Sequence, residues 1–211
     1  MQGGEVERER ISPNEGWESI QATLERSRSS MYVAGWPTIM LMWGAIVAIG
    51  FVAQFAVDTH ATGFAEDFPW FPGPLWGGLG LVGMVASSMI GYRASRDNAA
   101  GPTATSVGLR VFAFWISVVA AAFIVPAASG LWTAEADGKS IGGIAIGIVS
   151  LGYILFGIMH HPAIALVGLG IAAAFYIPDH FAGDSSLVVS AAMMVVVVTI
   201  AWVWIRRSGT A

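Results

Sequence analysis

Long apolar stretches separated by short polar segments organise the chain. Six stretches are long enough to cross the roughly 30 Å hydrocarbon core of a bilayer as helices: residues 32–57, 74–92, 109–131, 140–159, 162–178 and 185–205. The longest apolar run, Ser140 to Pro178, has 39 residues, none of them Asp, Glu, Lys or Arg, and seven of them Gly. As a single helix it would extend about 58 Å at 1.5 Å per residue, too long for one crossing. The pattern therefore predicts a hairpin broken at His160-His161-Pro162. Pro162 removes a backbone donor and suits the first turn of a new helix. Pro126 lies inside the third stretch, where a kink or a local break is expected.

The polar segments carry their own signals. Ser12-Pro13-Asn14-Glu15 forms a capping box with Pro at the first helical position. Beyond it Trp17, Ile20, Leu24 and Met31 fall on one helical face, with Glu15, Glu18, Glu25, Arg26 and Ser29 on the other. This predicts an amphipathic helix lying on the membrane interface or on the protein's own inner face. The segment from Asp58 to Gly73 is acidic and holds Phe64, Phe68, Trp70 and Phe71, which favour the headgroup layer. It is expected to fold back onto the interface. Trp17, Trp36, Trp70 and Trp76 are the expected membrane anchors. A polar linker over 93–108 contains the helix breaker Gly101-Pro102.

Composition places the whole chain in one class. Of 211 residues 55% are hydrophobic and only 11% charged, with a mean hydropathy of +0.68, against about a quarter charged in soluble domains. No segment outside the apolar stretches is large enough for a core of its own. The expected fold is an all-α integral membrane domain over 32–207, a six-helix bundle, preceded by the polar tail and amphipathic helix of 1–31. The first thirty residues are polar, so no cleavable signal peptide is expected. Charge then sets direction. Arg8, Arg10, Arg26, Arg28, Arg93, Arg96, Arg110, Arg206 and Arg207 fall on one side, and only Lys139 on the other. By the positive-inside rule both termini are expected to be cytoplasmic. The opposite loops hold seven acids: Asp58, Glu66, Asp67, Glu135, Asp137, Asp179 and Asp184.

Candidate chemistry is sparse. The chain has no cysteine, which excludes disulfides, Fe–S clusters and Cys-ligated zinc. It has no nucleotide loop, nucleophile elbow or HExxH motif, so no catalytic residue and no cofactor is assigned. Its few scattered basic residues make nucleic acid an unsuitable partner. No apolar stretch carries an ionisable group near its middle, which argues against proton- or sodium-driven transport through a membrane carboxylate. Gln54, Ser87, Ser88, Ser117, Ser150, Tyr153 and Thr199 are candidates for lining a pore; alternatively they join neighbouring helices by hydrogen bonds. Gly143 and Gly147 form a GxxxG pair followed by Ser150, and Gly168 pairs with Ala172. These small residues are expected to pack helices, either within one chain or between copies. On the acidic side Asp58 and His60 share a face with Asp179 and His180. Two imidazoles and a carboxylate suit zinc, copper or non-haem iron, so these four form the candidate metal set. His160 and His161 sit at the opposite hairpin tip, as solvated turn residues or as a pH-sensing pair.

The junction from Glu18 to Gly35, with its Glu-Ser-Ile opening and its Ser29-Ser30 pair leading into the first stretch, resembles the start of a group of uncharacterised bacterial membrane proteins. The likeness covers about twenty residues. It implies a bacterial inner-membrane setting and about six spans, and implies no mechanism.

Together these features predict a non-enzymatic membrane protein. Its partners are expected to be the lipid bilayer and either further copies of itself or other membrane subunits, for which it acts as an interaction, sensory or accessory subunit. The alternatives are a channel or transporter for a small neutral or apolar solute, and a metal- or haem-dependent protein using the His/Asp loops.

Overall fold

The structure, a computed structural model, describes residues 12, 16–20, 35–97, 102–132, 138–160 and 162–208. Most of the expected amphipathic helix lies outside these residues, as do Glu135, Asp137, His161 and the expected start of the first stretch at Tyr32. Of the N-terminal helix only a turn over 16–20 is described, with Trp17 and Ile20 exposed.

Seven α-helices follow: α1 (Trp36–His60), α2 (Thr62–Asp67), α3 (Pro72–Asp97), α4 (Pro102–Ala128), α5 (Gly138–His160), α6 (Pro162–Phe181) and α7 (Ser186–Ser208). Among the described residues there is no strand, and all of these helices but the short α2 are long and apolar enough to cross a membrane. The chain is thus an all-helical protein built as a multi-pass membrane protein.

Local chemistry explains most of the boundaries. Gly35 enters α1 with φ of 90°, a conformation open to glycine, and Pro37 occupies the first turn. Pro72, Pro102 and Pro162 each begin a helix, where a missing N–H costs nothing. That position corrects the expected polar linker over 93–108. Pro102 starts α4 rather than breaking it, and α3 runs on to Asp97.

Two prolines lie inside helices, close to their C-terminal ends. α4 passes through Pro126 and ends two residues later, at Ala128. Its end is a Schellman closure. The Gly130 N–H reaches the Ala127 carbonyl (3.0 Å) and the Leu131 N–H reaches that of Pro126 (3.0 Å). Gly130 takes φ of 73° to permit this. α6 similarly continues past Pro178 to Phe181.

Packing arranges the spanning helices in the spatial order α3, α1, α7, α6, α5, α4, each pair antiparallel. The dense part is α1, α5, α6 and α7. Across its middle, Phe51 of α1 meets Phe175 of α6 at 5.6 Å, and Met40 and Met194 are almost wholly buried. Near one end, Trp36 of α1 stacks on Trp115 of α4 (5.6 Å) and on Phe156 (5.4 Å) and Tyr153 (6.0 Å) of α5. α3 and α4 flank this core. Only 6% of the apolar window of α3 and 11% of that of α4 is buried, against 33–44% in the other four.

Candidate functional site

The most specific polar geometry lies between α1 and α3. Trp43 of α1 donates its indole N–H to Ser87 Oγ of α3 at 3.0 Å, and Trp76 of α3 donates to Gln54 Oε1 of α1 at 2.9 Å. Each ring also lies over a glycine of the facing helix. A Cβ at Gly83 would come within 2.6 Å of the Trp43 ring, and one at Gly50 within 2.6 Å of the Trp76 ring. Glycine is needed at both places so that an indole can approach the backbone and still reach its acceptor one turn further on.

The two halves of this clasp are the same sequence pattern. Residues 43–54 are WGAIVAIGFVAQ and residues 76–87 are WGGLGLVGMVAS, identical at five of twelve positions. Each half has Trp, then Gly seven residues on, then a polar acceptor four residues after that. Because α1 and α3 are antiparallel, the halves meet about a local two-fold axis: residue i of one helix meets j of the other, and the reverse. A search for internal repeats at the scale of single turns would have found the pattern in the sequence.

The equivalence fails at one position. Gly44 of α1 receives Val198 of α7, whose Cγ2 lies 2.5 Å from the place of a glycine Cβ. Its counterpart on α3, Gly77, has nothing within 4 Å of that place. Gly73, Gly78 and Gly80 on the same helix are equally open.

The small residues named from the sequence divide clearly. Gly143 and Gly147 of α5 face Tyr176 of α6, which donates its hydroxyl to the Gly143 carbonyl at 2.7 Å. Gly168 of α6 lies against the Ser150 and Ile154 backbone of α5. This GxxxG face is therefore occupied inside one chain. Ala172 is half-buried on α6, a turn beyond Gly168.

The candidate pore-lining residues do not share a path. Gln54 and Ser87 belong to the clasp, and Tyr153 to the aromatic cluster around Trp36. Ser150 is buried between helices, whereas Ser88, Ser117 and Thr199 are exposed on the outside of the bundle. Nor does the metal set assemble. Asp58, His60, Asp179 and His180 are all exposed, and among the described residues no three His, Asp or Glu side chains are grouped closely enough to hold a metal ion. The first and fifth spans, which carry the two histidines, touch through Phe51 and Phe175.

Two of the four expected tryptophan anchors are taken into packing. Trp36 joins the aromatic cluster and Trp76 the clasp. Trp17 and Trp70 are 61% exposed. Trp70 sits in an aromatic group with Phe68, Phe64 and Phe71, which the short α2 gathers at the head of α3. No known protein family, characterised protein or solved structure matches the chain.

Proposed function

We propose that this chain is a non-enzymatic subunit of the bacterial cytoplasmic membrane, with both termini cytoplasmic, which offers α3 to another transmembrane helix. The single observation behind this reading is the pair Gly44 and Gly77. Equivalent in position within the repeat, one is filled by Val198 of α7 and the other is open. In a membrane, helices associate through close packing at small residues rather than through a hydrophobic driving force. A glycine there lowers helix propensity by about 1 kcal/mol relative to alanine. The open glycines of α3 repay that cost only if something approaches them. By the local two-fold the occupant is an apolar helix running antiparallel to α3, with a β-branched residue over Gly77.

The orientation rests on the nine basic residues of one side. On that side Arg206 lies 4.3 Å over the Trp202 ring, an arrangement suited to the headgroup layer. Reporter fusions after Gly63, Gly138 and Gly183 should report outside, and fusions after Ala99 and Ser208 inside; one inverted result ends this topology.

Docking is tested directly because the chain has no cysteine. Single substitutions Gly77→Cys and Ile158→Cys, the latter on an exposed position of α5, are cross-linked in native membranes. Gly77→Cys should give one discrete adduct, at twice the chain mass for self-association or at another mass for a different subunit. Ile158→Cys should give none. Adducts from neither variant, or equally from both, would end the docking reading.

A further inference from the structure

The outward face of α7 differs between its two halves. Along the C-terminal half runs a groove of about 330 Å³, lined by Thr199, Ile200, Val203, Trp204 and Arg207. Its lining forms two rows at four-residue spacing, Thr199–Val203–Arg207 and Ile200–Trp204. The groove is therefore the furrow between two neighbouring ridges of one helix. Every residue lining it belongs to α7, so no other described helix closes it. From Thr199 to Arg207 the furrow extends about 12 Å, within the roughly 15 Å that one leaflet contributes to the hydrocarbon core.

What sets this groove apart is its polar end. A second groove, between α1 and the N-terminal half of α7, is larger, about 560 Å³, and is lined only by Ala, Val and Ile. Such a surface takes hydrocarbon of any kind and chooses nothing. The first groove ends instead on a guanidinium, with an exposed indole one turn inward from it. The two arginines of the last turn are also placed differently. Arg206 lies 4.3 Å over the ring of Trp202. At 100° per residue Arg207 is turned away from that pair, to the groove.

We propose that this groove binds one anionic phospholipid, with its phosphate on the Arg207 guanidinium and an acyl chain laid along Trp204, Ile200 and Thr199 toward the bilayer middle. A guanidinium matches a phosphate through paired N–H donors. An indole at that depth suits the layer where headgroup and chain join. Charge makes the choice of headgroup. No Asp or Glu follows Asp184 in the sequence, so the ammonium of a zwitterionic headgroup meets no carboxylate on α7. A headgroup with net negative charge meets Arg206 and Arg207 alone.

Trp204 reports on the groove, because a brominated acyl chain quenches an indole that it touches. The full chain is reconstituted in phosphatidylcholine vesicles holding a minor share of chain-brominated lipid, either phosphatidylglycerol or phosphatidylcholine. Each protein is paired with its Trp204→Phe counterpart, and the difference gives the quenching of Trp204. In wild type, brominated phosphatidylglycerol should occupy the groove about fivefold more strongly than brominated phosphatidylcholine. Arg207→Gln should abolish that preference. Arg206→Gln, which removes the same charge from the same turn, should keep most of it. Equal quenching by the two lipids in wild type, or quenching by neither because a partner helix fills the groove, would overturn the proposal. So would a preference that survives Arg207→Gln, or one that both arginine variants lose alike, which is attraction to a basic surface without a site.

Discussion

The dense core of α1, α5, α6 and α7 and the flanking helix α3 are held by different means. In the core, glycines let one backbone approach another. Gly168 would place a Cβ 2.7 Å from the Ser150 carbonyl oxygen, and Gly157 lies against the backbone of Ala165. Such contacts gain dispersion energy over long surfaces and tolerate no added atom. α3 adjoins only α1 closely, and its contact is concentrated in two indoles, two glycines and two acceptors. The difference teaches that a helix can be attached to a membrane bundle at a few addressable points. Most of its surface is then left for lipid or for a partner.

Five substitutions test that contrast. Gly168→Leu should have the largest effect, about 3 kcal/mol or outright loss of folded protein, because the obstructing atoms are backbone and cannot rotate away. The yield of monodisperse protein in detergent measures it, and a well-folded variant would mean that the α5–α6 approach is looser than described. Trp43→Ala and Trp76→Ala should each cost about 2 kcal/mol, less than a fully buried tryptophan because both are half-buried. The two costs should be alike, and the double variant should lose less than their sum. Clearly unequal costs would show that the repeat is a likeness of sequence without equivalence in energy.

Gly147→Leu should cost about 1–2 kcal/mol by pushing Tyr176 off the Gly143 carbonyl. Its assembly size by light scattering should be that of wild type. A smaller assembly at unchanged stability would move this face to an intermolecular contact. Gly77→Leu should change stability least, by under about 0.5 kcal/mol, since nothing in the chain lies within 4 Å of the added carbon. It should nonetheless abolish the adduct formed by a cysteine at Gly80. An unaltered adduct would place the partner on a different face of α3.

Hydropathy and proline placement were enough to locate the spans to within a few residues at most ends. Pro162 opening α6 and Gly35-Trp36-Pro37 opening α1 are local events, governed by one missing N–H or one positive φ. The same local rules misplaced helix ends near Pro102 and Pro178. A proline in a first or last turn forfeits little, and neighbouring helices stabilise the turns beyond it. The GxxxG pattern of Gly143 and Gly147 was legible as a packing face, but its partner was not. The pattern is the same whether the opposing helix belongs to one chain or to two.

The sequence by itself determined that this chain is a set of long apolar helices, where most of them begin, and how its charges are distributed among the segments between them. Those properties depend on residues near each other along the chain, through hydrogen-bond periodicity and the thickness of a bilayer. Only the tertiary structure decided which helices touch. It set Phe51 of α1 against Phe175 of α6, engaged Trp36 and Trp76 with neighbouring helices, and filled Gly44 while leaving Gly77 open. The reason is that lipid-facing and helix-facing surfaces in a membrane are equally apolar. Hydrophobicity cannot tell them apart, and the choice falls to shape and to a few hydrogen bonds between residues far apart in sequence.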